Sequence, residues 1–342
     1  MSETTSDEVG FAGALADIKR EIRTTQAKTI RQVNKNLIMM YFKIGKILFE
    51  NSLGNNHFIK TVATELKVEY PKLSGFSEEN LRRMRRFYDE YREDEKKWSQ
   101  LVTEISWGHN VLLLSKIKDK QIRELYIRAT IENGWSRNVL DWQIGSSYHR
   151  RVGSSVNNFN EVLPASKIGL VNGLIKDPYI FGFLTLKDKY AERELESKMT
   201  ERIRDVLIEL GSGWSFVGNQ YKLTVGNEDY YVDLLFYHLK LKCYIVVELK
   251  ATKFMPEYVG KMNFYLSAVD DLVKNKNDNP SIGLILCKER NGFTANYSLK
   301  DINKPIGVSS FETDAKIVKQ ALKELPTETE LNLYLKMEDE NE

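Results

Sequence analysis

The sequence is poor in cysteine and histidine, and neither residue type forms a metal-ligand pattern. Its 342 residues include two cysteines, Cys243 and Cys287, and each falls in an apolar run. No Cys-x-x-Cys motif is present and the four histidines show no ligand spacing, which argues against a structural zinc site. We therefore expect two buried free thiols, as is typical of proteins in a reducing compartment.

Long apolar runs are also absent. No stretch has the length needed to span a bilayer, and the amino terminus, MSETTSDEVG, is acidic and unlike a signal peptide. These two absences predict a cytoplasmic protein with no membrane partner. The net charge is only +2, but residues 1–150 hold 25 Lys and Arg against 20 Asp and Glu. That basic excess in the first half favours a polyanionic partner such as DNA.

The chain is long enough for two domains, each with its own core. Helical periodicity dominates the first half, whereas strand-like runs alternate with helices in the second. Residues 151–163, RVGSSVNNFNEVL, are small and polar and are interpreted as the linker. We predict an all-α DNA-binding domain over residues 11–150 and an α/β domain, a mixed sheet flanked by helices, over residues 164–325.

The most informative stretch covers residues 229–265 and predicts a strand, a turn, a strand, a loop and a helix. Asp233 interrupts one apolar strand, and Glu248 and Lys250 follow the apolar run of the next. Alternate side chains of a strand share a face, so Glu248 and Lys250 should lie together. A hairpin turn at residues 240–241 would place Asp233 opposite Glu248 on the same face. Two carboxylates and an ammonium group would then converge on an otherwise apolar sheet.

Two carboxylates this close repel each other unless a cation lies between them. Mg²⁺ binds one or two carboxylates, several waters and substrate phosphate oxygens, and the Leu249 carbonyl is a further candidate ligand. Lys250 would position and deprotonate the attacking water, or stabilise charge developing on phosphorus. The alternative is a solvated strand face, but such a face should also be polar at Val246 and Leu235, and it is not. The pattern predicts a site for phosphodiester hydrolysis.

An Asp followed by Glu-x-Lys after an apolar strand resembles the signature of the PD-(D/E)XK nuclease superfamily. The similarity extends to the YhcG-like family, whose members join a helical amino-terminal domain to a carboxy-terminal PD-(D/E)XK nuclease domain. It covers about residues 18–325. The segments that carry it are FVGNQYKL (216–223), DYYVDLLFYH (229–238), VVELKATKFMPEYVGKMNFYL (246–266) and KPIGVSSF (304–311).

The resemblance implies a restriction-endonuclease-like fold in which Asp233, Glu248 and Lys250 are catalytic. It also implies a metal site formed by Asp233, Glu248 and the Leu249 carbonyl, filled by Mg²⁺ with Mn²⁺ as a substitute. One position departs from the family pattern. Lys261 stands where a Gln is usual in the motif Q-x-x-x-Y that ends at Tyr265. A Lys there suits phosphate, but the departure leaves the role of the position open.

Other polar residues flank the predicted site. PD-(D/E)XK folds often carry a Glu on the helix that precedes the first strand, here predicted over residues 191–210. Glu196 is favoured for that role, in competition with Glu194, Glu201 and Glu209. The predicted DNA contacts in this half of the chain are Gln220, Lys253, Lys261 and Tyr265.

The first half contains a candidate DNA-binding helix. Residues 71–76 predict a turn between two helices, the shape of a helix-turn-helix unit, and Ser77 is a good N-cap for the second helix. Arg82, Arg85 and Arg86 lie on neighbouring helical steps and predict a basic face for DNA. The alternative is a solvated amphipathic helix whose arginines pair with nearby carboxylates.

Taken together, the sequence predicts a Mg²⁺-dependent DNA endonuclease with a helical DNA-binding or targeting domain. The alternative is a catalytically inactive nuclease fold that binds DNA or recruits a partner, because a fold does not guarantee an activity. Nucleases that cut both strands are often dimers, so a homodimer is a further option. The form and sequence of the DNA are left open.

Overall fold

The computed structural model describes residues 4–51, 57–184, 186 and 190–313. The chain divides into two compact units, Met1–Arg137 and Asn138–Glu342. The end of the predicted nuclease domain, residues 314–325, lies outside the described residues. No helix among the described residues is long and apolar enough to cross a membrane.

The first unit is helical, as predicted from its 3.6-residue periodicity. Ser77 forms the predicted N-cap of the third helix, since its hydroxyl accepts a hydrogen bond from the Asn80 amide (3.3 Å). The helices are α1 (Thr4–Asn51), α2 (Phe58–Glu69), α3 (Glu78–Tyr91), α4 (Glu95–Val102), α5 (Trp107–Lys116) and α6 (Lys120–Asn133), with a 3-10 turn at Arg92–Asp94.

One apolar core of this unit lies between α1, α2 and α3. Its buried residues are Tyr41, Leu48, Ile59, Leu81 and Met84. Gly45 allows α1 to approach α3, because a side chain at this position would collide with the backbone carbonyl of Met84. The predicted succession of helix, Gly-containing turn and helix is therefore present, and Gly75 in that turn has a φ of +92°. Such a φ is favourable for glycine alone.

The second unit is an α/β domain. Its helices are α7 (Arg137–Gly145), α8 (Tyr148–Arg151), α9 (Phe159–Val162), α10 (Ala165–Leu174), α11 (Glu192–Glu201), α12 (Ile203–Leu210), α13 (Glu257–Leu272) and α14 (Gly292–Leu299). Its strands are β1 (Val156–Asn157), β2 (Tyr179–Ile180), β3 (Trp214–Val225), β4 (Glu228–His238), β5 (Cys243–Lys253), β6 (Ile282–Glu289) and β7 (Ile306–Glu312).

The sheet is mixed, which confirms the predicted fold class. Its order is β1-β7-β6-β5-β4-β3, and β2 pairs with β7 off this path. Strands β3, β4 and β5 form antiparallel hairpins, whereas β5, β6 and β7 are parallel and are joined through α13 and α14. One apolar core packs α11 and α12 against the sheet, and the other packs α13 and α14. Helices therefore cover both faces, as parallel strands require.

The hairpin between β4 and β5 has the predicted register. His238 pairs with Cys243 and Leu234 pairs with Val247. The connection is a four-residue turn over residues 239–242, in place of the predicted two-residue turn. Lys242 adopts a φ of +49°, which is the left-handed conformation that closes such a turn. Continued by one pair, this register places Asp233 opposite Glu248.

The prediction that residues 151–163 form a linker is wrong. This segment belongs to the second unit, where β1 pairs with β7 and Phe159 is fully buried in the core. The Asn158 side chain donates to the carbonyls of Ile302 and Lys304 (2.9 Å each) and accepts from the Ile306 amide (2.9 Å). Asn158 is therefore buried and satisfies backbone groups inside the fold instead of facing solvent.

The predicted helix over residues 191–210 is two helices. α11 ends and α12 begins around Arg202, whose backbone leaves the helical range at φ −111° and ψ 32°. Gly211 ends α12 as predicted, with a φ of +110° and its amide bonded to the Leu207 carbonyl. Both helices still precede β3 and pack on one face of the sheet.

Candidate active site

Glu248 is the most deeply buried group of the predicted site. It lies on β5 and is 0% exposed. One carboxylate oxygen, Oε1, lies 2.9 Å from Lys250 Nζ and also pairs with Lys261. The other oxygen, Oε2, is buried and has no hydrogen-bond partner among the described residues. A buried carboxylate oxygen without a partner is costly unless a further group satisfies it.

Asp233 lies on β4 beside the end of the paired region. Its Oδ2 accepts a hydrogen bond from the Leu249 amide (2.9 Å), so the side chain holds β4 to β5 where the backbone ladder stops. Burial, together with the negative charge of Glu248, raises the pKa of Asp233 to about 6. The backbone bond to Leu249 and the charge of Lys250 oppose that rise. The two carboxylates therefore share one electrostatic environment, as two like charges at one site do.

Lys250 connects the end of β5 to helix α11. Its ammonium donates to Glu192 Oε2 on α11 (2.9 Å) and to the Leu249 carbonyl (3.0 Å), in addition to its contact with Glu248. Burial works against its charge, but the carboxylates of Glu248 and Glu192 outweigh burial and hold the pKa of Lys250 above its ordinary value. These contacts favour the charged form of Lys250.

Glu196 supports the site through the side-chain amides of two residues on β3. Its carboxylate accepts from Asn219 Nδ2 (3.0 Å) and from Gln220 Nε2 (2.5 Å). Gln220 Nε2 also lies 3.5 Å from Asp233 Oδ1. Gln220 has a φ of +44°, a strained conformation for a residue other than glycine, and such strain often accompanies functional positions.

Part of this network opens onto a cleft of about 800 Å³. Its lining includes Glu192, Glu196, Gln220 and Asp233, but not Glu248 or Lys250. The cleft lies between α11 and the strands β3 and β4. A carboxylate-lined cleft of this volume has room for a phosphodiester group with its waters and a cation.

Besides Gln220, two more of the predicted DNA contacts take part in the same network. Lys261 on α13 pairs with Glu248 and lies over the ring of Tyr265 (5.2 Å from Nζ to the centroid). The Tyr265 hydroxyl donates to the Tyr231 carbonyl (2.7 Å) and is therefore engaged in holding α13 to β4. Lys253 is exposed at the end of β5, where its backbone lies in register with Glu289 of the parallel strand β6.

The three arginines of α3 belong to the other unit and do not form one free face. Arg82 donates to Glu78 (2.7 Å), and Arg86 donates to the Leu114 carbonyl (2.8 Å). Arg85 is only half-buried overall, but its Nε is buried and its guanidinium lies over the ring of Phe49 (5.9 Å). Arg82 and Arg86 remain exposed. Their predicted role in DNA binding stays a prediction.

Two members of the site were not predicted from the sequence. Glu192 contacts Lys250, and Asn219 contacts Glu196. A signal for Glu192 was present, because it lies four residues before Glu196 and therefore on the same helical face. Glu209, one of the competing glutamates, is excluded from the cleft, since it is fully buried in an ion pair with Arg151 (2.6 Å).

The residues present fit a hard divalent cation. Among the residues that the structure describes, no three His, Cys, Asp or Glu side chains converge as a metal cluster. Glu196 therefore is not brought into a three-carboxylate group, and its role as a ligand stays a prediction. Mg²⁺ needs only one or two carboxylates with water and phosphate oxygens. The unpartnered Glu248 Oε2 and the neighbouring Asp233 carboxylate supply that set.

Comparison with known proteins finds a match in each half of the chain. Residues 172–333 match the model of the YhcG PDDEXK nuclease domain, and residues 17–151 match the DUF1016 N-terminal domain. The protein "Putative nuclease YhcG" of Escherichia coli (strain K12) is 29% identical, over 89% of this chain and 90% of that protein.

A crystal structure of a repair endonuclease from Pyrococcus abyssi is also similar over part of its length. The similarity covers 37% of this chain and 48% of that chain, at 15% identity and a TM-score of 0.25. The two domain matches together cover most of the chain. The protein therefore belongs to the YhcG-like family, in which a DUF1016 N-terminal domain precedes a YhcG PDDEXK nuclease domain.

Proposed function

We propose that the protein is a metal-dependent nuclease that hydrolyses phosphodiester bonds in DNA, with Asp233, Glu248 and Lys250 as its catalytic residues. One observation carries this proposal. Glu248 is fully buried beside Asp233, yet its Oε2 has no hydrogen-bond partner among the described residues. Buried carboxylates in stable proteins are normally satisfied, so the free oxygen supports a ligand at this point.

The ligand that fits is Mg²⁺, with Mn²⁺ as a substitute. Asp233 and Glu248 would hold the ion, and the Leu249 carbonyl is a third candidate ligand. When bound, the ion would supply positive charge to the phosphate and lower the pKa of a bound water.

Lys250 acts as a fixed positive charge in this proposal. Its raised pKa keeps the ammonium protonated beside Glu248, so it stabilises negative charge that develops on the phosphate oxygens. The other role that the sequence left open, positioning and deprotonation of the attacking water, stays a prediction for the same side chain. Glu192 orients the ammonium from the opposite side of the strand end.

Glu196 and Gln220 position Asp233. Both oxygens of Glu196 bond to amides of β3, and Gln220 reaches towards Asp233. These contacts hold the Asp233 carboxylate in place and leave it able to bind a cation. Lys253 and Lys261 supply positive charge for the DNA backbone next to the cleft.

The helical unit is proposed to bind or select the DNA. The basic excess in residues 1–150 supports this role, as do the exposed guanidinium groups of Arg82 and Arg86. Each of those arginines also bonds within the protein, so DNA phosphate would have to compete with Glu78 or add to the Leu114 contact.

Cleavage of purified plasmid and linear DNA, with and without Mg²⁺, tests the proposal. We expect cleavage that depends on the metal and is lost in Asp233→Asn and Lys250→Met. Matched controls are Asp229→Asn and Lys222→Met, because these two residues form an exposed ion pair on β4 and β3 (2.8 Å). Undiminished cleavage by the site variants would contradict the proposal, as would the absence of cleavage in the wild type.

A further inference from the structure

The amino-terminal part of α1 carries a row of large apolar side chains that no described residue covers. Every residue from 13 to 33 is exposed. The apolar residues of this part are spaced by four or three residues from position 11 to position 22. After a polar interval they continue at positions 30 and 33. This spacing places them along one side of the helix. They are Phe11 (69% exposed), Leu15 (38%), Ile18 (57%), Ile22 (52%), Ile30 (69%) and Val33 (61%).

No described residue from the rest of the unit forms a hydrogen bond with this part of the helix. The first hydrogen bonds from α1 to another element are those of Asn34, whose amide donates to the carbonyls of Thr103 (2.8 Å) and Ile105 (3.2 Å). Among the described residues before Asn34, side-chain bonds stay within the helix. A single exposed helix is marginal in water, and its stability in proteins comes mostly from a packed apolar face.

The spacing indicates what packs on this face. Apolar residues at steps of three and four form the seam of a coiled coil, and a 23-residue stretch spans about 35 Å at 1.5 Å per residue. Such a seam is self-complementary under a two-fold axis, because the same surface serves both copies.

The charges indicate the direction of the second helix. Residues 11–22 carry two acidic and two basic side chains, and the ten residues before them add three acids in the sequence. Residues 23–35 carry four basic side chains and no acidic one. In a parallel pair, the four basic side chains of one copy would lie beside the same four basic side chains of the other copy and repel them. An antiparallel pair places the basic part of each copy against the neutral-to-acidic part of its partner.

We propose that residues 11–33 of α1 form an antiparallel coiled coil with the same residues of a second copy of this chain, centred near Ile22. In this arrangement Ile22 meets its own equivalent, and Phe11 of each copy lies near Val33 of the partner. The dimer rests on the described helix alone and is independent of the proposed nuclease chemistry.

The mass of the full chain in solution tests the proposal. Sedimentation equilibrium at micromolar concentration should give twice 39.7 kDa. Ile22→Lys should raise the dissociation constant on the order of 30-fold or more, as loss of a central interface residue does. Thr24→Lys adds the same charge on the opposite side of the helix and should leave the dimer intact. A monomeric wild type, or equal effects of the two variants, would overturn the proposal.

Cysteine cross-linking tests the direction of the second helix. Cys243 and Cys287 are buried, so thiols placed on α1 react alone under mild copper-phenanthroline oxidation. Ile22→Cys should form a disulfide with its own copy. Phe11→Cys and Val33→Cys should cross-link only when the two variants are mixed. Cross-linking of Phe11→Cys with itself would show a parallel pair and overturn the antiparallel arrangement.

Discussion

Glu248 and Lys250 lie two residues apart on one strand, with Oε1 of the first 2.9 Å from Nζ of the second. The pair leaves the other carboxylate oxygen of Glu248 buried and without a partner among the described residues. A structural ion pair would gain from satisfying both oxygens, since a half-satisfied buried network is destabilising. The arrangement instead suits a site that is completed by a ligand.

Metal binding should raise the thermal stability of the wild type. A cation that binds only the folded state stabilises it by about 2.7 kcal/mol at a free concentration of 100 times its dissociation constant. We expect Mn²⁺ to raise the Tm of the wild type and of Asp229→Asn. Glu248→Gln should lose the shift, and this readout does not depend on catalysis. An equal shift in Glu248→Gln would mean that the metal binds elsewhere.

Glu196 should matter for cleavage through Asp233 without touching the DNA. Glu196→Ala removes the acceptor for Asn219 and Gln220, so Asp233 loses its lateral support. We expect kcat to fall about 10-fold or more with KM little changed, because misplacement of a reacting group costs rate more than binding.

The matched control for that experiment is Glu194→Ala. Glu194 lies on the same helix but is not among the residues that line the cleft. Its replacement should leave both constants unchanged. Equal losses in the two variants would show that α11 is merely destabilised, and that Glu196 has no positioning role.

The buried ion pair between Arg151 and Glu209 should hold the start of the second unit in place. Arg151 also donates to the Gln143 side chain and to the Ser146 carbonyl. Breaking a buried pair by removing one partner costs about 3–5 kcal/mol, because the remaining charge stays buried. Arg151→Met should therefore lower the free energy of unfolding by about that amount in urea titrations.

Arg202→Met provides the comparison for Arg151→Met. Arg202 pairs with Asp205 on the surface (2.6 Å), where an ion pair contributes about 0–1 kcal/mol. If Arg151→Met were no more destabilising than Arg202→Met, the segment around residue 151 would behave as a linker after all.

The arginines of α3 should differ in their effect on DNA binding. Each phosphate contact that is lost should lower the slope of log K against log salt by about 1. We expect Arg82→Ala and Arg86→Ala to lower the slope, because both guanidinium groups are exposed. Arg85→Ala should change it less, since its Nε is buried and its guanidinium lies over Phe49. Equal slopes in all three variants and the wild type would show that α3 does not contact DNA.

The parts of the fold that the sequence predicts are those with a local cause. The register between β4 and β5 was predicted from the position of one short turn, and the structure confirms it. Ser77 caps the start of α3 and Gly211 ends α12, both as predicted. A side-chain cap and a positive φ are properties of single residues, so the local sequence is enough to predict them.

The parts that escaped prediction depend on residues distant in the sequence. Asn158 is polar because it satisfies the backbone near residues 302–306, and no local pattern distinguishes that role from a linker. The contact of Lys261 with Glu248 depends on how α13 packs against β5. The left-handed conformation of Gln220 is strain that its neighbours impose, and no property of glutamine predicts it.

The most direct measurement of the central claim is a crystal structure after soaking in Mn²⁺, read from the anomalous signal of the metal. We expect one peak between the Asp233 and Glu248 carboxylates, within ligand distance of Glu248 Oε2. A peak elsewhere, or carboxylates that point to opposite faces of the sheet, would contradict the metal site and with it the proposed chemistry.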